Sequence, residues 1–161
     1  GKSKLEAEKL LNNLRDKHFR VTIVRPPMIY GKNCIGNYKS LSSLAMKTPI
    51  FPNIQNKRSM IYIDNLSELI RLLIDDKREG LYFPQNKEYV TTSEMVESIA
   101  REHGKNIRLV RLFNPFIKML NVSIINKVFG DLTYDKNISI YDENYNVVDF
   151  NKSIYLTESG E

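Results

Sequence analysis

The chain is poor in the residues that mark several whole classes of protein. Cysteine occurs once, at Cys34, so no disulfide forms within the chain and a disulfide-stapled scaffold is excluded. That single thiol fits a reducing compartment, and the sequence is read as cytoplasmic. Histidine occurs twice, at His18 and His103, and neither stands at a spacing that suggests a metal site or a nucleophile pair with Cys34. No apolar run reaches the roughly 18 residues of a membrane-spanning helix, and the opening Gly1-Lys-Ser-Lys-Leu-Glu-Ala-Glu-Lys-Leu-Leu11 has no apolar core of a signal peptide. No membrane partner is expected. There are only 7 glycines, and none forms Gly-x-Gly-x-x-Gly, so the turn that cradles a dinucleotide pyrophosphate is not in this sequence. Basic residues never run longer than the pairs Lys57-Arg58 and Lys77-Arg78. The net charge of +5 therefore reads as a solvated surface and not as a nucleic-acid face, and no nucleic-acid partner is expected.

What is present is a globular balance, 42% hydrophobic and 27% charged over 161 residues, enough chain to bury a core. Charge is uneven along it. Residues 1–120 hold 21 basic and 12 acidic side chains, and residues 121–161 hold 3 and 7. Leu5, Leu10, Leu11 and Leu14 recur at helical spacing, with no clear start signal before them, as if the helix had been entered midway. Arg20–Arg25 is β-branched without alternation, the pattern of a strand buried on both faces in a parallel sheet, and Pro26-Pro27 ends it. Met28 to Gly36 reads as a loop, and 38–46 as a helix with Leu41, Leu44 and Ala45 inward. Arg58–Ile63 reads as a second strand. Asp64 is the expected cap of a helix with apolar positions Leu66, Leu69, Ile70, Leu72, Leu73 and Ile74, closed by Gly80. A short strand at 81–83 follows. Thr92 or Ser93 then caps a helix burying Met95, Val96, Ile99 and Ala100, with Gly104 at its end. Residues 107–110 read as a strand, the stretch from Asn114-Pro115 to Gly130 as helical, and 148–156 as a final helix. Alternating helix and strand is the α/β class.

Three segments carry chemistry: Gly1-Lys-Ser-Lys4-Leu-Glu-Ala-Glu8; Val21-Thr-Ile-Val-Arg25-Pro-Pro-Met-Ile-Tyr30-Gly31, followed by Gly36-Asn37; and Arg58-Ser-Met-Ile-Tyr-Ile-Asp64-Asn65-Leu66. In this order and spacing they resemble the extended short-chain dehydrogenase/reductases, in particular the NAD-dependent sugar-nucleotide epimerase and dehydratase group typified by UDP-glucose 4-epimerases. Leu81-Tyr-Phe83 with Thr91-Thr-Ser-Glu-Met95 resembles the group's next segment. The likeness runs from residue 1 to about 112 and is weaker in Phe129–Asp135 and the last helix.

The resemblance implies the last strands and helices of a Rossmann-type parallel sheet plus a small α/β substrate-binding domain. Residues 1–35 would hold the sheet elements and the catalytic-lysine helix. Residues 36–161 would form mainly the nucleotide-sugar region, with 58–83 returning to the sheet. It implies a Tyr-x-x-x-Lys pair whose lysine is Lys4 and whose tyrosine falls just before Gly1, so that the chain is a carboxyl-terminal portion and inactive alone. The i, i+4 spacing puts such a pair on one helix face, where the lysine charge lowers the phenol pKa. Lys4, Pro27 and Met28 are implied at the NAD cofactor; Met28 stands where related epimerases often carry asparagine. Asn37 and Arg58 are implied at the diphosphate of a UDP-sugar, since a helix start and a guanidinium fork both suit phosphate. A homodimer of the full-length protein and a role in surface polysaccharide synthesis are implied too.

Plainer readings stand beside these: Lys4 as a solvated helix lysine, Pro26-Pro27 as a strand stop, Asn37 as a turn residue and Arg58 as a surface arginine. Arg108 and Arg111 match no clear motif. Other activities of the same family, dehydratase, reductase or hydroxysteroid-type dehydrogenase, are alternatives. A non-catalytic nucleotide-binding or interaction module of this fold is another.

Overall fold

The computed structural model describes residues 1–111 and 130–159, so the helical expectation for 114–130 lies almost wholly outside the described residues. The elements alternate: α1 (Lys2–Asn13), β1 (Thr22–Val24), β2 (Met28–Tyr30), α2 (Asn37–Lys47), β3 (Ile50–Pro52), β4 (Met60–Tyr62), α3 (Ile63–Asp75), β5 (Gly80–Tyr82), α4 (Thr92–Glu102) and β6 (Arg108–Val110). A 3-10 turn at Lys136–Ser139 and α5 (Phe150–Glu158) follow. The strands pair in parallel as β1–β5, β2–β4 and β3–β6. Parallel partners need a crossover between them, and here the crossovers run through α2, α3 and α4.

The larger core sits where α2, α4 and α5 close over β2, β3 and β4. Tyr30, Met95, Val96, Ile99, Ala100 and Ile154 are fully buried there. A second cluster packs Leu66, Leu69, Leu72 and Leu73 of α3 on Ile61 and Tyr145, with Val24, Ile29 and Tyr82 against it. Four leucines at 3 and 4 residue spacing form one face of a helix, and that face is buried as the sequence predicts.

Several expectations are corrected. Met28–Tyr30 is a strand and not a loop: the prolines end β1, and the chain restarts in register with β4, Ile29 opposite Ile61. Ile50–Pro52 is likewise a strand, with Phe51 in the core. Asp64 does not cap α3. The cap position is Tyr62, without a side-chain bond, and Asp64 lies in the first turn, where its charge suits the helix dipole. Ile70 and Ile74 of α3 are exposed, on the face turned from the core. Gly80 does not close that helix. Lys77 takes the left-handed conformation (φ 52°), and the N–H groups of Lys77 and Arg78 bond the Ile74 and Leu73 carbonyls in a Schellman motif, leaving Gly80 to begin β5. Gly104 closes α4 in the same way at φ 67°. The cap of α4 is Thr91, one residue earlier than expected, in a full capping box with Glu94, while Thr92 and Ser93 are buried.

The segment after Gly130 threads back over β4. Ser59 donates its N–H to the Leu132 carbonyl at 2.8 Å, and Tyr134 donates to Ser59 Oγ at 2.8 Å. The buried Gln85 amide joins the layers: its oxygen accepts from Ser59 Oγ at 2.7 Å and its nitrogen donates to Ser139 Oγ at 2.7 Å.

Candidate functional site

The direction of α1 decides where Lys4 stands. Glu8 of α1 pairs with Arg25, the residue that follows the carboxyl end of β1. Arg15, just beyond α1, pairs with Glu79, the residue that precedes β5. Because β1 and β5 are parallel, α1 runs antiparallel to them, with its start at their carboxyl edge. Lys4 lies four residues before Glu8, about 6 Å further along the axis, and so sits at or beyond that edge. Open parallel sheets bind ligands there. Lys4 is exposed. An open groove of about 520 Å³ separates α1 from β1 and β5, lined by Leu5, Glu8, Asn12, Arg15, Ile23 and Arg25 among others.

The Arg25 fork is the best-built polar feature of this edge. Its Nε lies 3.1 Å from both Glu8 carboxylate oxygens, and its Nη2 also donates to Oε2. Each charge favours the other's ionised form: Arg25 holds the Glu8 carboxyl below its ordinary range, and Glu8 raises the guanidinium. The guanidinium lies over the Phe83 ring, 5.9 Å from its centre, and Phe83 meets Tyr134 edge to face. Pro27 and Met28 come next, both half-buried.

Arg58 is not a surface arginine. It is 6% exposed, its Nη1 donates to the Gly130 carbonyl at 3.3 Å, and its backbone bridges Val90 and Leu132. Burial lowers the pKa of its guanidinium. Arg58 precedes Met60, the register partner of Met28, so Pro27 and Arg58 lie toward one end of the β2–β4 pair. Asn37 follows β2 by seven residues in the chain and is exposed at the first position of α2, with Gly36 as the cap residue. The direction of α1 puts Lys4 at the edge from which Arg25 and Pro27 follow, and strand register puts Arg58 toward the Pro27 end of the β2–β4 pair. Among the described residues no group of three or more His, Cys, Asp or Glu could hold a metal, and no helix is long and apolar enough to cross a membrane.

Two features escaped the sequence reading. Glu8 was visible as an i, i+4 neighbour of Lys4, but its partner Arg25 is 17 residues away. Tyr30 is fully buried, stacked on Tyr38 at 5.4 Å, and its hydroxyl meets Ser153 Oγ at 2.6 Å and accepts from the Asn86 amide at 2.9 Å. No local signal connects residues 30, 86 and 153.

Among the described residues, three parallel strand pairs joined through helices make a Rossmann-type α/β fold. The comparisons agree. Residues 1–70 match an NAD-binding family described as male sterility protein. The chain is 38% identical over 106 residues to a UDP-glucose 4-epimerase of Vibrio cholerae, covering 62% of this chain and 32% of that protein. Among solved structures, it is similar in fold to the UDP-glucose 4-epimerase of Thermus thermophilus, solved in complex with NAD (TM-score 0.57, 15% identity, 87% of this chain and 46% of that one). It is also similar to the UDP-N-acetylglucosamine 4-epimerase of Bacillus cereus (TM-score 0.53, 19% identity, 96% and 49%). The chain spans about a third of the curated relative's length and about half of those structures'. It is similar to the sugar-nucleotide epimerase group, and NAD or NADP is the cofactor that this resemblance supports.

Lys4 is exposed and Pro27 and Met28 are half-buried, side-chain chemistry that would suit a ribose hydroxyl and a flat ring. The pyrophosphate-cradling turn is not in this sequence.

Proposed function

We propose that this chain is the carboxyl-terminal portion of an NAD-dependent nucleotide-sugar epimerase acting on a UDP-hexose or UDP-N-acetylhexosamine. The observation that supports the reading is the antiparallel run of α1, which brings the start of the helix, and Lys4 with it, to the carboxyl edge of β1. Residues 1–35 supply sheet elements and the lysine helix. Residues 36–161 supply the substrate region, with 58–83 returning to the sheet.

Bound NAD supplies reversible hydride acceptance at the sugar. Lys4 holds a positive charge next to a phenol on the preceding helical turn and favours its ionised form, which takes the proton of a sugar hydroxyl. Pro27 and Met28 keep water from one side of the reacting ring. Arg58 and the N-terminus of α2 at Asn37 offer N–H donors to the diphosphate. The full-length protein works as a homodimer, in the cytoplasm.

The test is to express the full-length parent and assay interconversion of UDP-glucose with UDP-galactose and of their N-acetyl counterparts. The residue before Gly1 is expected to be tyrosine, and Lys4→Met should lower kcat by about 100-fold or more. Another residue at that position, or full activity in Lys4→Met, refutes the reading.

A further inference from the structure

α1 has no buried residue, and Leu10 and Leu14 are 63% exposed. Among the described residues, apolar packing does not hold this helix. Two polar ties do: Glu8 to Arg25 near its start, and Arg15 to Glu79 just past its end. The first tie stands one turn from Lys4, on the same face, as i, i+4 spacing dictates. Its anchor is firm. The Arg25 N–H donates to the Tyr82 carbonyl at 2.9 Å, continuing the β1–β5 ladder, and Pro26 follows. The fork uses Nε and Nη2 together, which fixes direction as well as distance.

We propose that Arg25 and Glu8 are positioning residues for Lys4: by gripping Glu8 in a bidentate fork, Arg25 fixes the lysine helix against the carboxyl edge and keeps the Glu8 carboxylate off the Lys4 ammonium. The inference rests on the epimerase reading given above. It has two consequences. Losing the fork loosens α1, and reacting groups misplaced by about an ångström lose about 100-fold in rate. Losing Arg25 alone also releases a carboxylate four residues from Lys4, which can then neutralise the charge that the reaction needs.

The test uses the full-length parent with Arg25→Ala, Glu8→Ala, the double variant, Arg25→Lys and Lys4→Met, each checked for native circular dichroism. Arg25→Ala should lower kcat by about 100-fold with the UDP-sugar KM changed by less than about twofold. The acid limb of its pH–kcat profile should move up, because the phenol beside a neutralised lysine ionises later. Glu8→Ala should lose less, and adding Glu8→Ala to Arg25→Ala should restore about tenfold of the lost rate, since the released carboxylate is gone. Arg25→Lys, which keeps the charge without the fork and spares the fold if alanine does not, should fall between wild type and Arg25→Ala. The inference is overturned if Lys4→Met is inactive while Arg25→Ala and Arg25→Lys keep the wild-type kcat and pH profile, or if the double variant is no better than Arg25→Ala. Full activity in Lys4→Met instead removes the epimerase reading itself, and this inference with it.

Discussion

Replacing Tyr30 by phenylalanine removes one oxygen from the middle of the core and tests the polar network there. The hydroxyl meets Ser153 Oγ at 2.6 Å and accepts from the Asn86 side chain at 2.9 Å. Ser153 keeps its bond to the Phe150 carbonyl, whereas the Asn86 N–H loses this acceptor inside the protein. A buried group left in that state costs about 1–3 kcal/mol, so the expected loss near neutral pH is about 2 kcal/mol, or about 4–8 °C in Tm for a chain of this size. The same hydroxyl makes a second, opposite prediction. Burial pushes the Tyr30 phenol up to about 12, from an ordinary value of 10.0. Below pH 10 both folded and unfolded chains hold the proton. Between pH 10 and 12 the unfolded chain releases it while the folded one keeps it, so the stability this group contributes falls as pH rises, by about 1.4 kcal/mol per unit. The phenylalanine variant has no such group. Tyr38, Tyr62 and Tyr145, also raised by burial, titrate in both proteins and cancel in the difference. Urea unfolding followed by circular dichroism from pH 8 to 11 should therefore show the gap between the two proteins shrinking from about 2 to under 1 kcal/mol. A gap constant across that range refutes the account of Tyr30 as a neutral, buried, doubly bonded phenol.

Other outcomes follow from local geometry. A Cβ at Gly31 would stand 2.5 Å from Ile63 Cγ2, so Gly31→Ala should cost about 1–3 kcal/mol in thermal or urea unfolding, and Ile63→Ala in the same chain should recover part of it. Thr91→Ala removes the side chain that accepts from Glu94 N–H in the capping box of α4, and should cost about 1 kcal/mol by the same measurement. The 161-residue chain alone, incubated with NAD and UDP-glucose, should show no interconversion; turnover would overturn the assignment of the catalytic phenol to a position before Gly1.

Much of the helical fold was legible because helices write themselves locally. Leu66, Leu69, Leu72 and Leu73 share a face by spacing alone, and Met95, Val96, Ile99 and Ala100 do the same in α4. The six strands among the described residues are each three residues long, and four of them lie in apolar runs that read as strands. Met28–Tyr30 instead follows Pro26-Pro27 and reads as a loop, and Ile50–Pro52, which holds a proline, reads as no strand. Only pairing with Met60–Tyr62 and Arg108–Val110 reveals them. Helix ends were harder still. At Lys77 an ordinary residue takes a left-handed turn because two backbone bonds there satisfy the last carbonyls, which no composition signal reveals.

The sequence by itself determined the α/β class, the helical faces and the segments that carry Lys4, Pro27, Met28, Asn37 and Arg58, since those depend on residue type and short spacing. Tertiary structure alone decided which way α1 runs, that Arg58 is buried and donates to the Gly130 carbonyl, and that Arg25 holds Glu8. Those facts rest on contacts between residues distant in the chain. A side chain's charge and size are written at its own position, but its partner is chosen only when the strands have found their register and the core has closed.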